Sequence, residues 1–206
     1  MGLCRGDEAK EVLVRDYWIN PLAHLYLLGK QVKRCCCGDL LSKEYYLMIC
    51  VKKSDKNIRK PIYVGGTCAG KLFNLSGAPT HMYFNPFATV GNETTSRTSG
   101  GHEGDIKIEP LNKEIREAIF LLCMDWDQPP GIPTSNILAM INRAPSRRLA
   151  DHYVKAVNTI IGKDSRRRKL QDIIEGLRVI EKRIRHFRFP EMKAVINSIG
   201  LSDNIG

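Results

Sequence analysis

Apolar positions in the first third of the chain come in short runs divided by polar turns. "INPLAHLYLLGK", residues 19–30, reads as a short helix: Asn20 can cap it, Pro21 suits a first turn and Gly29 suits the stop. "RCCCGD", residues 34–39, is a tight turn rich in thiols. "EYYLMICV" is β-branched and aromatic and reads as a strand, "KSDKN" as a turn, and "IRKPIYV" as a second strand that Pro61 places at a sheet edge. Together these segments predict a hairpin held between two cysteine-bearing turns.

The pattern changes after Gly77. "GNETTSRTSGGHEGD" is poor in apolar residues and reads as a flexible linker. Beyond it Ile115, Ala118, Ile119, Leu122, Cys123 and Trp126 recur with a 3.6-residue period, and "DQPPGIP" breaks that helix. "TSNILAMIN" is a short helix candidate. "PSRRLADHYVKAVNTIIG" is another, with Leu149, Tyr153, Val157 and Ile161 on one face and Gly162 as its stop. A long final helix is expected from about Ser165 to Phe187, ended by Pro190. The expected class is α+β, without internal repeats. Residues 1–78 form an N-terminal helix and hairpin module, 79–110 a linker, and 111–206 a basic helical domain.

Composition adds a partner class. Of the 206 residues 43% are hydrophobic, an ordinary fraction for a globular core, but the net charge of +10 is not ordinary. From Met140 onward there are 15 Lys or Arg against 7 Asp or Glu, so most of the excess lies in the last third. A polyanionic partner is implied, with nucleic acid ahead of a membrane surface. No apolar run approaches the roughly 18 residues of a membrane span. The N-terminus has no signal-peptide core, and Gly6 stands where myristoylation wants Ser or Thr. Seven cysteines without an export signal favour reduced thiols with a metal over disulfides. The expectation is a soluble cytoplasmic protein.

Two chemistries compete for "YVGGTCAGKLF", residues 63–73. Gly65, Gly70 and Lys71 fit the phosphate-binding loop G-x-x-x-x-G-K-[ST], and "AIFLLCMD", ending at Asp125, mimics its partner strand and acid. Leu72 replaces the hydroxyl that holds Mg²⁺, however, and the residues before Asp125 have helical spacing. The chain beyond Leu111 also lacks the strands of a parallel sheet. A nucleotide-binding enzyme therefore ranks third.

The metal reading uses more of the sequence. Zinc takes four ligands at tetrahedral positions, and thiolates in tight glycine-containing turns supply them. Cys35, Cys37 and Cys68 are the nominated ligands, with Cys50 as the fourth and His24, His81 and Cys36 as alternatives. Cys123, on the apolar face of a helix, reads as a core residue. A Cys–His nucleophile at Cys68 has no residue to orient it. The order of knuckle, hairpin, knuckle and helix over Arg34–Leu75 resembles treble-clef and zinc-ribbon modules. The pattern C-G, strand, strand, V-G-x-x-C-A-x-x-L is similar to small zinc modules of phage and plasmid proteins. That resemblance implies a bound zinc ion. Those modules carry C-x-x-C in each knuckle, whereas here the first is C-x-C or C-C and Lys71 stands where the second would end.

The basic half has the rhythm of a helix-turn-helix, with Arg147 and Arg148 opening the recognition helix and His152 where an apolar residue is expected; an antiparallel bundle accounts for the same pattern. Arg166, Arg167 and Arg168 fall in the first turn of the expected last helix, where its dipole disfavours cations. Arg167, Arg178, Lys182 and Arg185 form a stripe suited to phosphates, and Phe187 and Phe189 suit either base stacking or the core. The leading expectation is a non-catalytic zinc-containing protein that binds nucleic acid, with duplex DNA favoured over RNA. The second is a zinc-bearing subunit of a larger nucleoprotein complex, gripping protein as well as nucleic acid. The large subunit of a type IV CRISPR effector resembles that arrangement in architecture alone.

Overall fold

A computed structural model describes residues 4–78, 84, 86, 87 and 107–206. Most of the expected linker, and His81 with it, lies outside the described residues. The fold is α+β and divides into two compact units, Met1–Pro86 and Phe87–Gly206.

The first unit runs α1 (Asp7–Asp16), β1 (Tyr17–Tyr26), β2 (Lys33–Arg34), β3 (Leu40–Leu41), β4 (Glu44–Lys52), β5 (Arg59–Val64) and α2 (Gly66–Ser76). Strands β1, β4 and β5 form an antiparallel sheet in the order β1-β4-β5, with Ile19 opposite Cys50 and Met48 opposite Ile62. The hairpin β4–β5 is the one the apolar pattern predicts, and Pro61 does sit on an edge strand. The segment read as a helix is instead the other edge strand, β1. Its capping signals are local, whereas pairing with β4 satisfies its backbone along nine positions, with a bulge between Pro21 and Ala23. An edge position tolerates the missing N–H of Pro21. Alternate residues Met48 and Cys50 of β4 and Ile62 and Val64 of β5 share one sheet face. They are buried in one cluster with Leu13 of α1 and Ala69 and Leu72 of α2. The short hairpin β2–β3 stands apart from this sheet, with Lys33 opposite Leu41 and Arg34 opposite Leu40.

The second unit holds α3 (Pro110–Asp125), α4 (Ile132–Arg143), α5 (Asp151–Ile161), α6 (Leu170–Ile180) and α7 (Pro190–Ser198). Helix α3 is the hub. It touches each of the other four and is buried around its whole circumference, not on one face. Two of its buried acids are satisfied: Glu117 receives Arg185 at 2.6 Å, and Glu114 accepts the backbone N–H groups of Glu191 and Met192 at the start of α7.

Two helix boundaries depart from the apolar pattern. The second helix of the expected helix-turn-helix begins at Asp151, not near Ser146, so Arg147 and Arg148 lie in a loop. The long final helix is only α6. Its start is delayed by a turn in which the Asp164 carboxylate accepts N–H bonds from Arg166 and Arg168 while Arg167 adopts a φ of 56°. After Ile180 the backbone leaves the helix, and the Arg178 guanidinium holds the Ile184 carbonyl at 3.2 Å. Phe187 and Phe189 are then buried. Among the described residues no helix is long and apolar enough to cross a membrane.

Candidate metal centre

The β2–β3 hairpin carries a five-residue tip, Cys35 to Asp39. The Cys35 N–H donates to the Asp39 carbonyl and the Gly38 N–H to the Cys35 carbonyl, both at 2.8 Å. Gly38 adopts a φ of 101°, which a side chain rarely permits. The Cys36 N–H donates to the Tyr63 carbonyl at 2.8 Å, which ties the tip to β5. Strand β5 leads through Gly65 into α2, whose third residue is Cys68. A Cβ on Gly65 would meet the Leu41 side chain at 3.1 Å, so glycine allows the two turns to approach.

These turns bring the sulfur atoms of Cys35, Cys37 and Cys68 within 4.8 Å of one another. Cys35 and Cys37 are buried and Cys68 is half-buried. Burial pushes the Cys35 thiol up, but hydrogen bonds from the backbone at Cys37 and Gly65 and from the other two thiols outweigh it, so its pKa falls below the ordinary value. Burial raises Cys37, and burial together with the neighbouring Cys35 pushes Cys68 up to about 12. The cluster thus favours one thiolate and opposes three unless a cation neutralises them. The N-terminus of α2 adds a favourable dipole for negative charge. Three converging sulfurs of this kind can hold a metal ion.

The other sequence-nominated ligands fall elsewhere. Cys50 lies within β4 between Ile19 and Lys60 and does not join the group; burial pushes its thiol up to about 12. His24 stacks on Tyr46, ring centroids 4.3 Å apart, and its Nε2 lies 3.0 Å from Glu44. Cys36 is not a free thiol. It forms a disulfide with Cys4, which corrects the expectation that all seven cysteines stay reduced. Cys123 is buried in α3, as its helical spacing indicates. Sequence reasoning missed Asp39, whose carboxylate accepts a hydrogen bond from the Cys37 thiol at 3.4 Å. Its position directly after the cysteine turn was the available signal.

The phosphate-loop motif does not form a phosphate loop. Its residues open a helix that follows an antiparallel strand, and Lys71 reaches back to Asp7 at 2.7 Å. The residues ending at Asp125 are helical.

The nominated cations divide into engaged and open. Arg168 clamps Asp125 and Asp164, and Arg185 is nearly buried against Glu117 with its guanidinium 4.3 Å from the Phe187 ring centroid. Arg148 bridges Glu109 and Glu191, and Arg178 contacts His186 as well as the Ile184 carbonyl. Arg147, Arg166, Arg167 and Lys182 are exposed and carry no carboxylate partner among the described residues. The expected stripe is therefore not a row of free cations, because half of it holds the helical unit together.

The chain matches the family described as Uncharacterised conserved protein UCP028583 over residues 3–202 and belongs to it. No curated protein and no solved structure matches the chain.

Proposed function

With membership of that family as the premise, we propose that the chain is a non-catalytic zinc-binding protein whose helical unit engages nucleic acid. One observation carries the zinc reading: three thiols, two from a hairpin tip and one from a helix N-terminus, converge within 4.8 Å. Three sulfur donors suit zinc over the hard cations, which take oxygen ligands throughout. The succession of thiol turn, β4–β5 hairpin and α2 N-terminus follows the treble-clef order and supports a structural role. Asp39 is the candidate fourth ligand. When a bound metal displaces the Cys37 thiol proton, which is released to solvent, the Asp39 carboxylate loses its donor and faces a cation instead. Nucleic-acid binding rests on the net charge of +10 and on the open cations of the helical unit.

Elemental analysis and native mass spectrometry of protein purified without chelator test the zinc reading. About one zinc per chain is expected, lost in Cys68→Ser and retained in Cys50→Ser and Cys123→Ser. Asp39→Ala lowers zinc affinity by roughly 10- to 100-fold. Protein that refolds fully under chelation and carries no zinc overturns the reading.

A further inference from the structure

A second site lies in the helical unit. A cavity of about 520 Å³ opens between the C-terminal end of α4, the 144–150 loop and the first turn of α5. Arg143, Arg147, Arg148, His152 and Tyr153 line it, and no carboxylate does. Three guanidinium groups around one cavity repel one another unless an anion joins them. Arg148 is balanced by Glu109 and Glu191. Arg143 and Arg147 are exposed and have no acidic partner among the described residues. The cavity thus carries uncompensated positive charge.

The loop that presents these arginines is fixed from below by a fully buried side chain. Asn112 of α3 donates to the carbonyls of Pro145 at 3.0 Å and Arg147 at 2.8 Å, and its oxygen accepts from the Leu149 N–H at 3.0 Å. The Glu109 N–H donates to the Pro145 carbonyl as well. Holding the loop in one conformation lowers the entropy lost when a ligand docks. The opening turn of α5 has Ala150 at its N-cap and no side-chain cap, and the Tyr153 N–H donates to the Ala150 carbonyl at 3.0 Å. Asp151 occupies that turn but does not line the cavity.

The shape argues for more than a bare oxyanion. A phosphate group fills a small part of a cavity in the size range of organic ligands. The rings of His152 and Tyr153, centroids 4.0 Å apart, supply part of the remaining wall beside Met140 and Leu149. Arginines for a phosphate beside ring faces for a base form the combination that single strands and nucleotides use.

We propose that this cavity is a nucleotide-phosphate site, in which Arg143 and Arg147 hold the phosphate and His152 and Tyr153 hold the base. It deepens the nucleic-acid reading above, on which the identity of the ligand as a strand rests. The shared chemistry is a nucleotide phosphate, and its source is either a strand or a free nucleotide.

The test uses the full zinc-loaded chain, a nucleoside monophosphate, a short single-stranded DNA and its duplex, each titrated by calorimetry and fluorescence anisotropy. Arg143→Ala/Arg147→Ala removes the site, and Arg166→Ala/Arg167→Gly removes exposed cations that do not line it. Both pairs are exposed, and glycine suits the positive φ of Arg167. The site pair weakens strand and monophosphate binding at least about tenfold, while the second pair weakens only the strand. His152→Ala reduces affinity by roughly 5-fold or more through lost stacking. If the monophosphate binds and neither the strand nor its duplex does, and the site pair abolishes that binding, the cavity takes free nucleotides and the nucleic-acid reading falls. If the strand binds and the site pair leaves its affinity unchanged, the inference is overturned and the nucleic-acid reading stands. Failure of the folded wild type to bind either the monophosphate or the strand overturns the inference, and failure to bind duplex DNA as well overturns the nucleic-acid reading.

Discussion

Asp164 shows what single residues contribute and why sequence alone misassigns some of them. Its side chain is fully buried, accepts the Trp126 indole N–H at 2.9 Å, and pairs with the Arg168 guanidinium. In the sequence, "DSRRRK" is a run of cations behind one acid, and a surface role for Arg168 is the natural reading. Only the fold shows that α3 brings Asp125 to the other side of the same guanidinium. The consequence is a pH dependence. The Arg168 hydrogen bond holds the Asp164 carboxyl well below the usual carboxylate range. The unfolded chain therefore takes up that proton first as pH falls. The stabilisation is fully present above the ordinary value of about 3.9 and is lost progressively below it. Glu114 works in the opposite sense, because burial raises its pKa. Urea unfolding of the wild type is expected to lose stability between about pH 5 and pH 2, with the slope reduced in Asp164→Asn. Asp164→Ala at neutral pH is expected to cost about 3 kcal/mol, since it leaves Arg168 with one partner and Trp126 with none. A stability unchanged by either substitution would remove this network from the account of the fold.

At the scale of elements, the apolar periodicity identifies hairpin β4–β5 and the core of α3, because both patterns are long and undiluted. It misreads β1, where Asn20, Pro21 and Gly29 mimic the caps of a helix, and where only the partner strand reveals the period of two. It overextends α6, because Leu177, Ile180 and Ile184 keep helical spacing across a break. The cysteine turn is legible for a simpler reason: three thiols beside a glycine leave little other chemistry. What spacing could not supply was the pairing of Cys4 with Cys36, which depends on where the N-terminal residues return. The tip of β2–β3 depends on Gly38 for its backbone alone, since a Cβ there would meet nothing within 4 Å. Gly38→Ala is therefore expected to cost roughly 1–2 kcal/mol through its left-handed conformation, without any clash. It should lower zinc affinity in a competition titration while the near-ultraviolet signal of the helical unit stays unchanged. Wild-type zinc affinity in that variant would detach the tip geometry from metal binding.

The whole molecule combines a small unit in which six cysteines pack in or against one buried cluster with a helical unit whose positive charge is concentrated from Met140 onward, 15 Lys or Arg against 7 Asp or Glu. The charge asymmetry was legible from composition, but its distribution was not, because a count does not distinguish a cation held by Glu117 from one facing water. The open cations now define the electrostatic prediction. Each phosphate neutralised by a Lys or Arg releases condensed counterions, so duplex affinity is expected to fall steeply with salt. Arg166, Arg167 and Lys182 are exposed, whereas Arg168 and Arg185 are engaged in internal ion pairs. Substituting Arg166→Ala, Arg167→Gly and Lys182→Ala together is expected to weaken binding across sequences and to reduce the logarithmic salt slope by as much as about three units, one for each lost contact. Arg185→Ala has a different signature. It strips Glu117 of its buried partner, so it lowers the stability of the helical unit, while the salt slope of the fraction that remains folded stays the same. Anisotropy at several salt concentrations, read beside thermal unfolding of each variant, separates the two effects. A triple variant with wild-type affinity and slope would show that the open cations are a solvated face, and the excess charge would then need a partner other than nucleic acid.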